Sequence, residues 1–131
     1  MNVVAPFPRP WDRRETASFE RLEFYRIIDL YGRMVAAGEW RDYALRFDPD
    51  LALFAAYCRH SERADVRIEK RPSLKLKQGA FALVSDQGLV LKRGHELGGV
   101  LAPLERRLMR LVRYAPGRGR AAAPSDSQEA A

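Results

Sequence analysis

The sequence predicts an α+β domain: an N-terminal helix, about five strands in an antiparallel meander, and a C-terminal helix kinked at Pro103, with both helices on one face of the sheet. Three observations predict it. Apolar residues recur at helical spacing near each end of the chain, over about 19–37 and again after Gly94. Between them the period changes to two. Turn signatures at Asp48-Pro49-Asp50, His60 to Asp65 and Asp86-Gln87-Gly88 cut this middle stretch into strand-length pieces.

The start, Met1 to Asp12, contains Pro6, Pro8 and Pro10, which remove backbone donors and hold extended geometry, so residues 1–17 read as an irregular arm. Trp11 is placed to anchor it. Ser18 offers an N-cap, Glu20 and Glu23 occupy a first turn where the helix dipole favours acids, and Phe24, Ile27, Ile28, Tyr31, Met34 and Val35 form the apolar stripe. Gly38 stops this helix. Gly32 lies inside it, which implies either close approach of a neighbouring element or a bend.

From Trp40, Tyr43, Leu45 and Phe47 alternate with Ala44 and Arg46 as a strand. Leu51 to Arg59 returns as a nearly continuous apolar run, as expected of a central strand. Val66, Ile68 and Lys70 then alternate with a charged outer face of Arg67, Glu69 and Arg71, and Pro72 ends the strand. Ser73 to Gln78, with Lys75 and Lys77, reads as a short extended edge or a basic loop. Ala80 to Ser85 and Leu89 to Lys92 flank Asp86-Gln87-Gly88, the clearest hairpin signal. Leu97, Val100, Leu101, Leu104, Leu108, Leu111 and Val112 give the second helical stripe, which Pro103 should kink or divide. Residues 115–131, rich in Pro, Gly, Ala and small polar residues, read as a disordered tail, which leaves 18–114 as one domain.

Length and composition fit that organisation: 131 residues, 47% hydrophobic and 31% charged, are those of an ordinary globular chain able to bury a real core. No apolar run approaches the roughly 20 residues of a bilayer span, and no signal-peptide pattern opens the chain. A cytoplasmic protein is expected. The lone Cys58 lies in an apolar run and reads as a buried, inert thiol.

Charge is uneven. Net charge is +6, yet residues 1–65 hold 10 basic and 11 acidic side chains, whereas residues 66–120 hold 13 basic and 4 acidic. An anionic partner would therefore meet the second half.

The blocks Leu30 to Tyr43, Arg67 to Pro72 and Leu91 to Leu97 resemble an uncharacterised, mainly alphaproteobacterial family, the domain of unknown function DUF2794. The resemblance covers about residues 20–112. It implies no activity, ligand or catalytic residue.

Motifs that would dictate chemistry are absent. His60 and His95 lack zinc-ligand spacing, there is no GxGxxG or Walker-type loop, and the glycines at 94, 98 and 99 lack phosphate-binding spacing. No catalytic residue, metal or cofactor is expected. The candidate binding residues are instead cationic: Arg41, Arg67, Lys70, Arg71, Lys75, Lys77, Lys92, Arg93 and His95 on consecutive strands and loops, with Trp40 and Tyr43 as a stacking surface or as junction packing. A second group, Arg106, Arg107, Arg110, Arg113, Arg118 and Arg120, lies on the polar side of the final helix and its exit, with Arg106, Arg110 and Arg113 on one face by spacing. Bulky apolar residues are not expected to be exposed beside it, so membrane insertion is the least expected of its uses. The sequence thus predicts a non-enzymatic protein-interaction or regulatory module, with self-association among its forms. The alternative is a nucleic-acid-associated regulator that meets phosphates through residues 66–120.

Overall fold

The computed structural model of the chain describes residues 16–114. The arm expected over 1–17, apart from Thr16 and Ala17, and the tail expected over 115–131 lie outside the described residues. Helix α1 (Arg21–Ala36) is followed by β1 (Asp42–Asp48), β2 (Leu51–Tyr57), β3 (Val66–Lys70), a 3-10 turn (Pro72–Leu74), β4 (Phe81–Ser85), β5 (Val90–Gly94) and helix α2 (Leu97–Tyr114). The strands form one sheet in the order β1-β2-β3-β4-β5, every neighbouring pair antiparallel. The α+β meander expected from the sequence is the fold observed.

Each helix boundary has a local cause. Ser18 is not the N-cap of α1; Glu20 is, because a capping box forms in which Glu23 accepts the Glu20 backbone N–H at 2.8 Å. At the other end the N–H of Glu39 reaches Met34 and that of Gly38 reaches Val35, the two bonds of a Schellman motif. That motif needs a left-handed residue, and Gly38 supplies it with φ +82°. Gly32 meets no neighbour within 4 Å. The close approach falls at Gly98 of α2, where the Arg26 guanidinium of α1 lies 2.8 Å from where a Cβ would stand.

Helix α2 runs on through Pro103, which does not divide it. The carbonyl that Pro103 leaves without a donor, four residues back, belongs to Gly99, where no Cβ adds crowding. The Ser73 to Gln78 segment is a 3-10 turn and loop, so the basic-loop alternative holds and the extended edge does not. It closes through Gly79, with φ +102°, where an added Cβ would collide with the Gly94 carbonyl group. Only glycine lets β4 start this close to the end of β5.

Register places alternate residues on opposite faces. Phe54, Ile68 and Leu83 lie side by side on three adjacent strands, 0–1% exposed, and pack with Ile27, Leu30 and Met34 of α1 and Val100, Leu101 and Leu104 of α2. Both helices thus cover this one face. Tyr43, Leu45 and Phe47 of β1 also point to it, yet they stay 39–45% exposed, because β1 is an edge strand that the helix layer does not fully reach. Helix α1 is tied to α2 by a two-pronged contact from Arg33 to Glu105, both bonds 3.0 Å, and to the sheet by Lys70 and Glu23 at 2.8 Å. No helix among the described residues is long and apolar enough to cross a membrane.

Candidate functional site

The other sheet face carries the charged half of the alternation. On β2 it presents Leu51, Leu53, Ala55 and Tyr57; on β3, Arg67 and Glu69; on β4, Ala82 and Val84. One row across the strands reads Arg46, Leu53, Glu69, Ala82, Arg93. The next reads Ala44, Ala55, Arg67, Val84, Val90. Between β4 and β5 the register slips at Leu83/Val84, which makes Leu91 the extra residue of a bulge. Without that slip Val90 would point to the helices. Ala55, Ala82 and Val84 are buried but do not belong to the helix-facing core cluster, which confirms that they sit on the opposite side.

At the centre of this face lies Glu69, its side chain 13% exposed. Arg67 approaches it to 3.9 Å and Arg71 to 3.6 Å, both through Nε. Arg93, two strands away in the same row, donates to the Gly79 carbonyl at 3.4 Å. Two guanidiniums therefore flank one carboxylate, with a third, Arg93, in the same row two strands away. The Arg67 and Arg71 separations exceed an ideal charge-assisted bond of about 2.7–2.9 Å, so their N–H groups keep donors for a further acceptor. Arg46, at the edge, is held by Asp48 at 2.9 Å.

The structure divides the remaining sequence candidates. Lys70 faces the helices, paired with Glu23 and 5.7 Å from the Phe81 ring centre. Lys92, opposite Leu83, also points to the helix side, while Lys75 and Lys77 stand exposed in the loop before β4. The Nδ1 of His95 lies 3.1 Å from the Lys75 carbonyl. Arg106, Arg110 and Arg113 are exposed on the outer side of α2, well away from the sheet's open face. That helix side is not purely polar, as the sequence implied: Met109 and Val112 are each 61% exposed beside the arginines. Trp40 is 3% exposed and packs, so it is no stacking platform for a ligand. Tyr43 stacks on Phe54 and meets Tyr31 edge-on.

Arg107, expected on the polar side of the final helix, is instead the hub of the best-connected polar group. Arg107 donates to Glu39 at 2.7 Å and lies 2.9 Å from Asp65, whose same oxygen accepts the Trp40 indole N–H at 2.8 Å. Arg107 follows Leu104 by three positions and precedes Leu108 and Leu111, so it flanks the apolar stripe; that spacing was the signal. The cluster seals the end of the core where β1 and β3 begin. Cys58 is partly rather than fully buried; desolvation first, then the Asp65 charge, pushes its thiol above its ordinary range. Among the described residues no group of three or more His, Cys, Asp or Glu side chains could hold a metal ion.

Residues 17–101 match the family described as protein of unknown function (DUF2794). No curated protein and no solved structure matches the chain.

Proposed function

The chain belongs to the DUF2794 family of unknown function, and from that premise we propose that it is a non-enzymatic protein-interaction module whose binding surface is the open face of the sheet. The pairing of Arg67 and Arg71 with the single Glu69, with Arg93 on the same face two strands away and Leu51, Leu53 and Val90 beside them, supports this reading. Arginines set among aliphatic residues suit a protein segment that carries acidic side chains, since guanidinium forks onto carboxylate while the aliphatic positions lose water. A second copy laid face to face would set these arginines against one another. The partner is therefore a different, acidic chain, met in the cytoplasm of an alphaproteobacterium.

Nucleic-acid binding through residues 66–120 is the second reading, and the exposed row Arg106, Arg110 and Arg113 favours it. Against it, the cations of that half point in at least three directions: Lys70 and Lys92 to the helix side, Arg67, Arg71 and Arg93 to the open face, and the α2 row outward. A phosphate backbone needs a continuous track of charge.

Two baits, wild type and R67A/R71A/R93A, separate these readings in nuclease-treated lysate from the native cells. A protein recovered by the wild type and lost with the triple variant is expected. Recovery that disappears with nuclease, or that is equal for both baits, overturns the proposal.

A further inference from the structure

Among the described residues β1 and β5 are the two edges of the sheet, and they are built differently. At β5 the ladder breaks at the Leu83/Val84 slip, the strand is five residues long, and Lys92 and Arg93 occupy it; short length, a bulge and charge are devices that keep an edge from pairing with other chains. Leu89, Val90 and Leu91 are exposed there, but they flank the bulge. β1 has no such device: its seven residues pair with β2 in unbroken register, without a bulge, a lysine or a proline. Tyr43, Leu45 and Phe47 stand exposed along it on the helix-facing side. A long, regular edge with an apolar strip is a template for a further strand.

Helix α1 extends the strip. Phe24, Ile28, Tyr31 and Val35 recur at i, i+4, i+7 and i+11, which sets them on one side of the helix. That side adjoins β1: the Tyr31 ring meets the Tyr43 ring edge-on with centroids 5.0 Å apart, and its hydroxyl donates to the Arg41 carbonyl at 2.9 Å, just before the strand. Phe24, Ile28 and Tyr31 are partly buried, and Val35 is 40% exposed. Edge strand and helix stripe therefore present one apolar band along the same flank of the molecule. One end of the edge is taken, because the Ala17 N–H donates to the Asp48 carbonyl at 2.9 Å. The length left for pairing lies towards Asp42.

We propose that β1 pairs antiparallel with β1 of a second copy about a two-fold axis at Ala44, so that two five-stranded sheets become one. The charges along the strand choose both this occupant and this register. With Ala44 on the axis, Asp42 of each copy stands opposite Arg46 of the other, and Tyr43 opposite Leu45; opposite charges and an aromatic against an aliphatic both favour strand pairing. Arg46 engages Asp48 through Nε and Nη2, each at 2.9 Å, which leaves Nη1 for the incoming carboxylate. An axis at Leu45 would instead oppose Asp42 to Asp48 at both ends, and like charges directly opposite destabilise a pair. The same two-fold turns the two α1 stripes toward each other over the seam. Arg67, Arg71 and Arg93 take no part, and the two open faces lie side by side on one enlarged sheet.

The test is sedimentation velocity of the full chain over a range of concentrations up to millimolar, where a monomer–dimer equilibrium is expected. Leu45→Lys should weaken it by about tenfold or more, because the second copy would bury the ammonium in the seam; the position is exposed in the single copy, so the melting temperature of the monomer should hold. The decisive variants are Asp42→Arg and Arg46→Asp. Each alone sets like charges opposite one another on both sides of the axis and should dimerise several-fold more weakly than the wild type. Mixed in equal amounts, they restore both opposite-charge pairs and should form a heterodimer tighter than either homodimer. A monomer at every concentration, whether residues 1–15 or a different protein occupy the edge instead, overturns the proposal. Association that Leu45→Lys leaves unchanged, or a mixture no tighter than its components, overturns it as well. The R67A/R71A/R93A variant should dimerise as the wild type does, so failure of this reading and failure of the open-face reading are distinguishable.

Discussion

The two faces of the sheet are built by alternate residues of the same strands, and they differ in everything but backbone. On β3, Val66 and Ile68 are buried against the helices, whereas Arg67 and Glu69 between them keep contact with solvent. On β2 the contrast is milder: Phe54 is fully buried, but Leu53 on the other side is only partly so. The lesson is that apolar character does not decide which face forms the core. The helices decide it, because α1 and α2 supply Ile27, Leu30, Val100 and Leu104 on one side only. What is left on the other side is an apolar surface studded with arginines, which is a surface for contact rather than for stability.

The strongest way to break this comparison is to truncate adjacent residues of β2. Phe54→Ala should destabilise the fold by about 3–5 kcal/mol, as large-to-small changes of a buried aromatic do. Leu53→Ala, one residue away on the open face, should cost about 1 kcal/mol, the lower part of the usual range for point changes. Urea unfolding midpoints of the two variants measure the difference, and equal losses would mean that the open face is a second core.

A smaller effect sharpens where the covered face ends. Asp65→Ala leaves the Trp40 indole N–H without its acceptor and removes one of the two carboxylates on Arg107. A loss of about 1–3 kcal/mol is expected for such partly buried partners, read by the same unfolding measurement. The smallest effect belongs to the helix layer itself. Arg33→Ala breaks the pair with Glu105, but side chains 46% and 44% exposed are well screened, so the change should stay below about 1 kcal/mol. A larger loss would show that the two helices depend on this link for their placement over the sheet.

Much of this was legible in the residues. Period-two alternation, the continuous apolar run of β2 and the turn signatures mark the strands, and each strand pairs with its neighbour in sequence, so no crossover needs to be guessed. The same alternation separated Arg67, Glu69 and Arg71 from Val66 and Ile68, and hence indicated a charged face. The placing of Val90 on that face depends on the bulge at Leu91, an irregularity that no composition signals. Equally hidden was the Arg107 cluster: its partners Glu39 and Asp65 lie far away in the chain, and only the packing of α2 over the sheet joins them. Residue type alone favours Ser18 over Glu20 as N-cap; reciprocal bonding with Glu23 outweighs that preference. At His60, with φ +63°, the sequence shows only a polar turn residue, because backbone sign is not written in a side chain.

Strand order identical to chain order has a kinetic meaning. Only two residues, Pro49 and Asp50, separate β1 from β2, and a similarly tight reversal joins β4 to β5. Closing loops this short takes little chain entropy, and topologies rich in local contacts fold quickly. The polypeptide can lay down its sheet by successive neighbour encounters without searching its own length. The long searches belong to the helices: Arg33 and Glu105 stand 72 residues apart, and Glu39 and Arg107 stand 68.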